Sequence, residues 1–79
     1  MEFVAGTGLG VPWCVAEVLV GPGQAVRSGE VMAVLENDAM CQDLIADWPG
    51  TVTEVRIAVG EEVPEGAVVL VVDSRRRIG

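Results

Sequence analysis

The side chains that could do chemistry in this chain are carboxylates and two thiols. Its 79 residues include twelve Asp or Glu residues and five arginines, with no histidine and no lysine. This excludes an imidazole base, a Schiff-base lysine and a zinc site of the usual Cys/His kind. The remaining candidates concentrate in "LENDAMCQD", residues 35–43, where three acids and Cys41 surround Ala39. We therefore expect a non-catalytic module without a metal site.

Cys41 has two possible roles. It could carry an acyl group as a thioester, which requires an activated, exposed thiol. Activated thiols usually lie beside positive charges, whereas the nearest charged residues here are Asp38 and Asp43. The sequence therefore favours a half-buried strand position for Cys41. Cys14, in "PWCVAEV", is predicted to be a packing residue.

The charge of the chain restricts its partners. The net charge is −7, which disfavours nucleic acid and anionic membranes and favours a basic protein partner. No apolar run approaches the roughly 20 residues needed to span a bilayer, and no secretory signal pattern is present. Two cysteines are too few for a disulfide scaffold, so a cytoplasmic location is expected. The basic tail, Arg75–Arg77, is predicted to be a solvated chain end.

The elements that position these residues are predicted to be short strands. Valine-rich runs such as "VMAVLE" and "AVVLVVD" alternate with glycine and proline turns, and no long window has helical periodicity. The sequence also repeats at an offset of 37 residues, so that 15–37 aligns with 52–74 without a gap. Two such halves, facing each other, predict one all-β domain over residues 1–79, a flattened barrel with a C-terminal tail at 75–79. The segment "ENDAMCQD" becomes the hairpin that joins the halves.

These features together resemble the lipoyl/biotinyl attachment domains, over roughly residues 3–73. The hairpin reads E-T-D-K-A in lipoyl domains and E-A-M-K-M in biotinyl domains, and here it reads Glu36-Asn37-Asp38-Ala39-Met40. A family glycine, eleven positions after the lysine, falls on Gly50. Asp38 favours the lipoyl branch and Met40 the biotinyl branch.

The resemblance implies a carrier-type domain that shows its hairpin to a larger enzyme of a 2-oxo acid dehydrogenase or carboxylase system. Ala39 occupies the position of the modified lysine, so neither lipoate nor biotin can be attached as the sequence stands. Recognition is then the expected role of the hairpin. The residues expected to contact the partner are Glu36, Asp38, Met40 and Asp43.

Several alternatives remain open at this stage. Ala39 could be natural, could be an engineered Lys→Ala change, or could reflect a purely architectural resemblance. The chain could also be a standalone interaction barrel, with a homodimer as one form, or a thioester carrier at Cys41. Trp13 and Trp48 are predicted to pack near a barrel end, and an exposed Trp48 would indicate a partner surface.

Overall fold

The computed structural model of the chain describes residues 1–6 and 10–74, and within these ranges the regular structure is all β. Alternating apolar residues bounded by glycine turns produce eight short strands. They are β1 (Glu2–Val4), β2 (Trp13–Val18), β3 (Ala25–Val26), β4 (Val31–Glu36), β5 (Cys41–Ile45), β6 (Gly50–Val55), β7 (Glu62–Val63) and β8 (Val68–Ser74). A helix of membrane-spanning length and apolarity is absent from these described ranges. The predicted tail, 75–79, lies outside them.

The strands form two antiparallel sheets of four strands each. One sheet has the order β1-β8-β6-β3 and the other β5-β4-β2-β7. Apolar side chains from both sheets fill the space between them, including the fully buried Met32, Leu35, Val52 and Leu70. The predicted all-β class and flattened two-layer architecture are therefore confirmed.

The two short strands each belong to the sheet of the other half of the chain. β3 pairs with β6, where Val26 lies opposite Gly50, and β7 pairs with β2, where Val63 lies opposite Trp13. Val26 and Val63 are both buried. Each sheet is consequently completed by a strand from the other segment.

Backbone hydrogen bonds of the two segments correspond at the 37-residue offset. The N–H of Gly23 donates to the carbonyl of Val52 at 2.7 Å, and the N–H of Gly60 donates to the carbonyl of Val15 at 2.8 Å. Gly23 and Gly60 both have a φ of +87°, a conformation that side chains rarely adopt. The turns that send β3 and β7 across to the opposite sheet thus have the same geometry.

The hairpin tip and the end of the last strand lie at different ends of the molecule. β4 and β5 run from the tip to Val31 and Ile45, and the chain then crosses to Gly50 in the other sheet. Gly50 pairs with Ser74, the last described residue. Trp48 lies in this crossing and is 44% exposed, whereas Trp13 is completely buried. Trp13 therefore packs in the core as predicted, whereas Trp48 shows the exposure that the sequence analysis associates with a partner surface.

Candidate functional site

The tip between β4 and β5 is a tight turn built around one side chain. Glu36 and Cys41 form the last strand pair, and the N–H of Asn37 donates to the carbonyl of Met40 at 2.9 Å. The Oδ1 atom of Asn37 then accepts the N–H groups of Ala39 at 2.9 Å and of Met40 at 3.0 Å. Asparagine favours such turns because its side chain can satisfy backbone donors a few residues ahead. The turn therefore displays Ala39 on an exposed, hydrogen-bonded loop.

The predicted recognition residues do not all lie together. Glu36, Asp38 and Ala39 are exposed and line one groove. Met40 is half-buried and packs against the core instead. Asp43 is exposed on β5 opposite Val34 and does not line the groove.

The groove, with a volume of about 390 Å³, has three walls. One wall is the hairpin segment 36–39, the second is the segment 11–14, and the third is Glu62 of β7. No sequence pattern indicated that Glu62 would lie beside the hairpin, because that contact depends on β7 pairing with β2. We call this space the tip groove.

Two buried donors belong to residues that line the tip groove. Nε1 of Trp13 and Nδ2 of Asn37 are buried, and neither has a hydrogen-bond partner within the described part of the chain. Buried N–H groups are usually paired, and an unpaired one costs about 1–3 kcal/mol. Both nitrogens are enclosed by protein and are therefore left without an acceptor in the described part of the chain.

A row of thiols and carboxylates crosses the outer face of the sheet beside the tip. Cys41 lies opposite Glu36, Glu36 opposite Cys14, and Cys14 opposite Glu62. All four residues are exposed, so the predicted burial of Cys14 and half-burial of Cys41 are both wrong. The alternation in "PWCV" explains the exposure of Cys14, because Trp13 and Val15 occupy the inner face.

This row is not a disulfide or a preformed metal centre. Cys14 and Cys41 are separated by two strand spacings, about 10 Å, which exceeds the span of a disulfide. Both are free thiols. Over residues 1–6 and 10–74, no three Cys, Asp or Glu side chains are arranged to hold a metal ion.

Comparison with known proteins is consistent with this geometry. A family model described as "Biotin-requiring enzyme", covering biotin and lipoyl domains, matches residues 4–72. A dihydrolipoyllysine-residue acetyltransferase component of the pyruvate dehydrogenase complex from Cupriavidus necator is 35% identical over 59 residues. That match covers 75% of this chain and only 11% of the relative. The two-sheet fold with a central hairpin and the match over residues 4–72 show that the chain belongs to the biotin/lipoyl attachment-domain family.

Proposed function

We propose that this chain is a non-catalytic carrier-type domain that presents its central hairpin, residues 36–43, to a larger enzyme component. The observation that carries the proposal is the exposed turn at Ala39, which the Asn37 side chain holds. The resemblance of the hairpin to the family motif aligns Ala39 with the lysine of the family. The similarity to a pyruvate dehydrogenase component supports a partner in a 2-oxo acid dehydrogenase system. A carboxylase-type partner would contact the same exposed hairpin.

The residues of the tip do not fit the cofactors of the family. Lipoate and biotin are attached through an amide to a side-chain amine, and the methyl group of Ala39 has none. The chain contains no lysine at all, so no neighbouring residue can replace it. In the proposed function the tip therefore acts by recognition alone and transfers no group.

Restoring the amine tests whether the scaffold is that of a carrier. The Ala39→Lys variant, co-expressed with a lipoyl ligase or a biotin ligase, should gain the mass of one cofactor by intact mass spectrometry. A folded Ala39→Lys protein that neither ligase modifies would contradict the proposal. The Ala58→Lys variant is a matched control, because Ala58 is also an exposed alanine but lies in the turn before β7. It should stay unmodified.

The exposure of Cys41 keeps a second candidate function open. An exposed thiol next to the hairpin tip could accept an acyl group from an acyl thioester, forming a new thioester and releasing the donor thiol. Incubation with acetyl-coenzyme A and the partner component should then add one acetyl group that the Cys41→Ser variant does not acquire. If the partner component is active and the mass of this chain still does not change, the thioester function is ruled out.

A further inference from the structure

The hairpin tip links two halves of the chain that pair mainly with each other. The first half contains β1 to β4 and the second half β5 to β8. Of the six strand pairings in the described ranges, four join the halves, namely β1 with β8, β2 with β7, β3 with β6 and β4 with β5. The other two, β2 with β4 and β6 with β8, lie within one half. Nothing in these pairings requires that both halves belong to the same chain.

The connection at the tip differs in composition from all the others. Each of the other connections between strands contains glycine or proline, whereas residues 37–40 contain neither. Residues 30–48 are the longest stretch of the chain without these two residue types. Glycine and proline are the residues that interrupt or weaken strands. The composition of the tip is therefore compatible with β4 and β5 forming one continuous strand.

The turn at the tip is also not one of the turns that favour a hairpin. Favoured two-residue turns match the twist of the strands and need a positive φ, usually at glycine or asparagine. Within the described ranges positive φ occurs only at glycines, so Asp38 and Ala39 both lack it. Oδ1 of Asn37 holds the turn instead, by accepting two backbone N–H groups. Opening the hairpin therefore loses these hydrogen bonds but no turn geometry that matches the strands.

The register of the hairpin can continue through the tip when two copies run antiparallel. In the hairpin, Glu36 lies opposite Cys41. In two extended copies with the same register, Glu36 lies opposite Cys41 of the second copy, and Asp38 lies opposite Ala39 of the second copy. No residue is left over, so the shared two-stranded ribbon needs no bulge.

We propose that two copies of this chain exchange their halves at the tip and form a domain-swapped dimer. In this dimer, residues 31–45 of each copy form one strand, and the first half of each copy pairs with the second half of the other. All six strand pairings of the monomer are retained, and only the turn is lost. A short hinge loop with an unfavourable turn is the feature that promotes such an exchange.

The concentration of the chain sets the balance between monomer and dimer. The link at the tip gives pairing within one chain an effective concentration of millimolar order. We therefore expect the dimer when the unfolded chain is refolded at millimolar concentration, and the monomer at micromolar concentration. Glu36 and Asp38 of both copies meet along the shared ribbon, so added salt should raise the dimer fraction by screening their repulsion.

A disulfide can report which copy supplies the strand opposite Cys41. In the variant Cys14→Ser/Glu36→Cys, the new thiol lies opposite Cys41, with Cα atoms about 4.5–5.5 Å apart, a distance that a disulfide spans. Cys14 is replaced because it also lies opposite position 36. After refolding at millimolar concentration and subsequent oxidation, a denaturing gel without reductant should show a covalent dimer. Refolding at micromolar concentration should give a monomer with an internal disulfide.

The gel also separates an exchanged dimer from an ordinary one. A dimer that is seen by light scattering but runs as a monomer on the gel is joined through its surface, and would overturn the proposal. The absence of any dimer after refolding at millimolar concentration would overturn it as well. The Cys14→Ser variant is the matched control, because it has Cys41 but no thiol at position 36, and it should give no covalent dimer.

Two further variants test whether the tip is the hinge. Deletion of Asp38 and Ala39 removes the turn but keeps the register of the ribbon, and should give a dimer even at micromolar concentration. Asp38→Asn/Ala39→Gly introduces a favoured Asn-Gly turn and should lower the dimer fraction several-fold. Equal dimer fractions in these two variants would contradict the role given to the tip. If the deletion variant does not fold, the disulfide experiment still decides the proposal.

The exchange would also control access to the tip, a consequence that rests on the proposed function. The dimer has no turn at Ala39, so it has no tip to present. The dimeric form of Ala39→Lys should therefore be modified by a ligase at least several-fold more slowly than the monomeric form. Equal rates would contradict this control. If neither form is modified, the carrier function fails, whereas the disulfide experiment still tests the exchange itself.

Discussion

At the residue scale, Asn37 determines the shape of the tip. Its Oδ1 atom accepts the backbone N–H groups of Ala39 and Met40 and so closes the turn. We expect Asn37→Ala to lower the free energy of unfolding by about 1 kcal/mol, because two half-exposed hydrogen bonds are lost. Urea denaturation, with the signals of residues 36–41 followed by NMR, would measure both the stability and the change at the tip.

A matched variant distinguishes the acceptor from the donor of Asn37. Asn37→Asp keeps an oxygen for the N–H groups of Ala39 and Met40 and removes the unpaired Nδ2 group. It should retain the turn and lose less stability than Asn37→Ala. Equal losses in the two variants would contradict the role given to Oδ1.

Gly50 illustrates a glycine that the fold requires for space. A Cβ atom at this position would lie 2.6 Å from the carbonyl oxygen of Asp73 and 2.9 Å from a methyl group of Val72. We expect Gly50→Ala to reduce stability by about 1–3 kcal/mol, since the backbone of β8 would have to move. Thermal and urea unfolding, monitored by circular dichroism, would show the loss.

The control for that substitution is Gly21→Ala. A Cβ atom added at Gly21 would have no neighbouring atom within 4 Å, and the φ of this glycine is not positive. An alanine should fit there with little change, or with a small gain from the reduced entropy of the unfolded chain. If Gly21→Ala cost as much as Gly50→Ala, crowding against β8 would not be the cause.

At the element scale, the two-residue strands β3 and β7 contribute more to the stability of the fold than their length suggests. Val26 and Val63 are 3% and 6% exposed, and each anchors its strand in the sheet of the other half. We expect Val26→Ala and Val63→Ala to destabilise the fold by similar amounts, about 2 kcal/mol, from lost apolar burial. Chemical denaturation of both variants would test this equivalence.

Val59→Ala provides the comparison for these strands. Val59 is 65% exposed in the turn before β7. We therefore expect Val59→Ala to change the free energy of unfolding by no more than about 0.5 kcal/mol. Strongly unequal losses at Val26 and Val63 would show that the two halves do not contribute equally. A loss at Val59 as large as theirs would show that the effect is not one of burial.

Several elements could be predicted from the sequence because they carry a periodic signal. The alternation in β2, β4 and β8, together with glycine turns, indicates strands directly, and the position of Ala39 follows from the hairpin between two aligned segments. A two-residue strand has no such signal. The exchange of β3 and β7 between the sheets depends on tertiary pairing that no local pattern shows. Glu62 lies beside Cys14 because of this pairing.

At the scale of the whole molecule, the candidate site could be predicted only in part, because some of its residues are brought together by tertiary pairing. The exposed tip with Glu36 and Asp38 is indicated by turn residues in one short stretch. The groove also needs residues 11–14 and Glu62, which approach the tip only after folding. The prediction for Cys14 is wrong because a cysteine in an apolar run is usually buried, although the alternation beginning at Trp13 places it outside.

The exchange of strands also has a consequence for a chain that is cleaved at its tip. Opening the peptide bond between Asp38 and Ala39 would give two fragments of about 40 residues, a size below which a chain rarely folds alone. The fragments should reassociate as a non-covalent heterodimer, because β1 and β3 of one pair with β8 and β6 of the other. Circular dichroism of each fragment and of their equimolar mixture would test this, and independent folding of either fragment would contradict it. If continuity at the tip is dispensable for folding, its residues are free to diversify with the partner they meet.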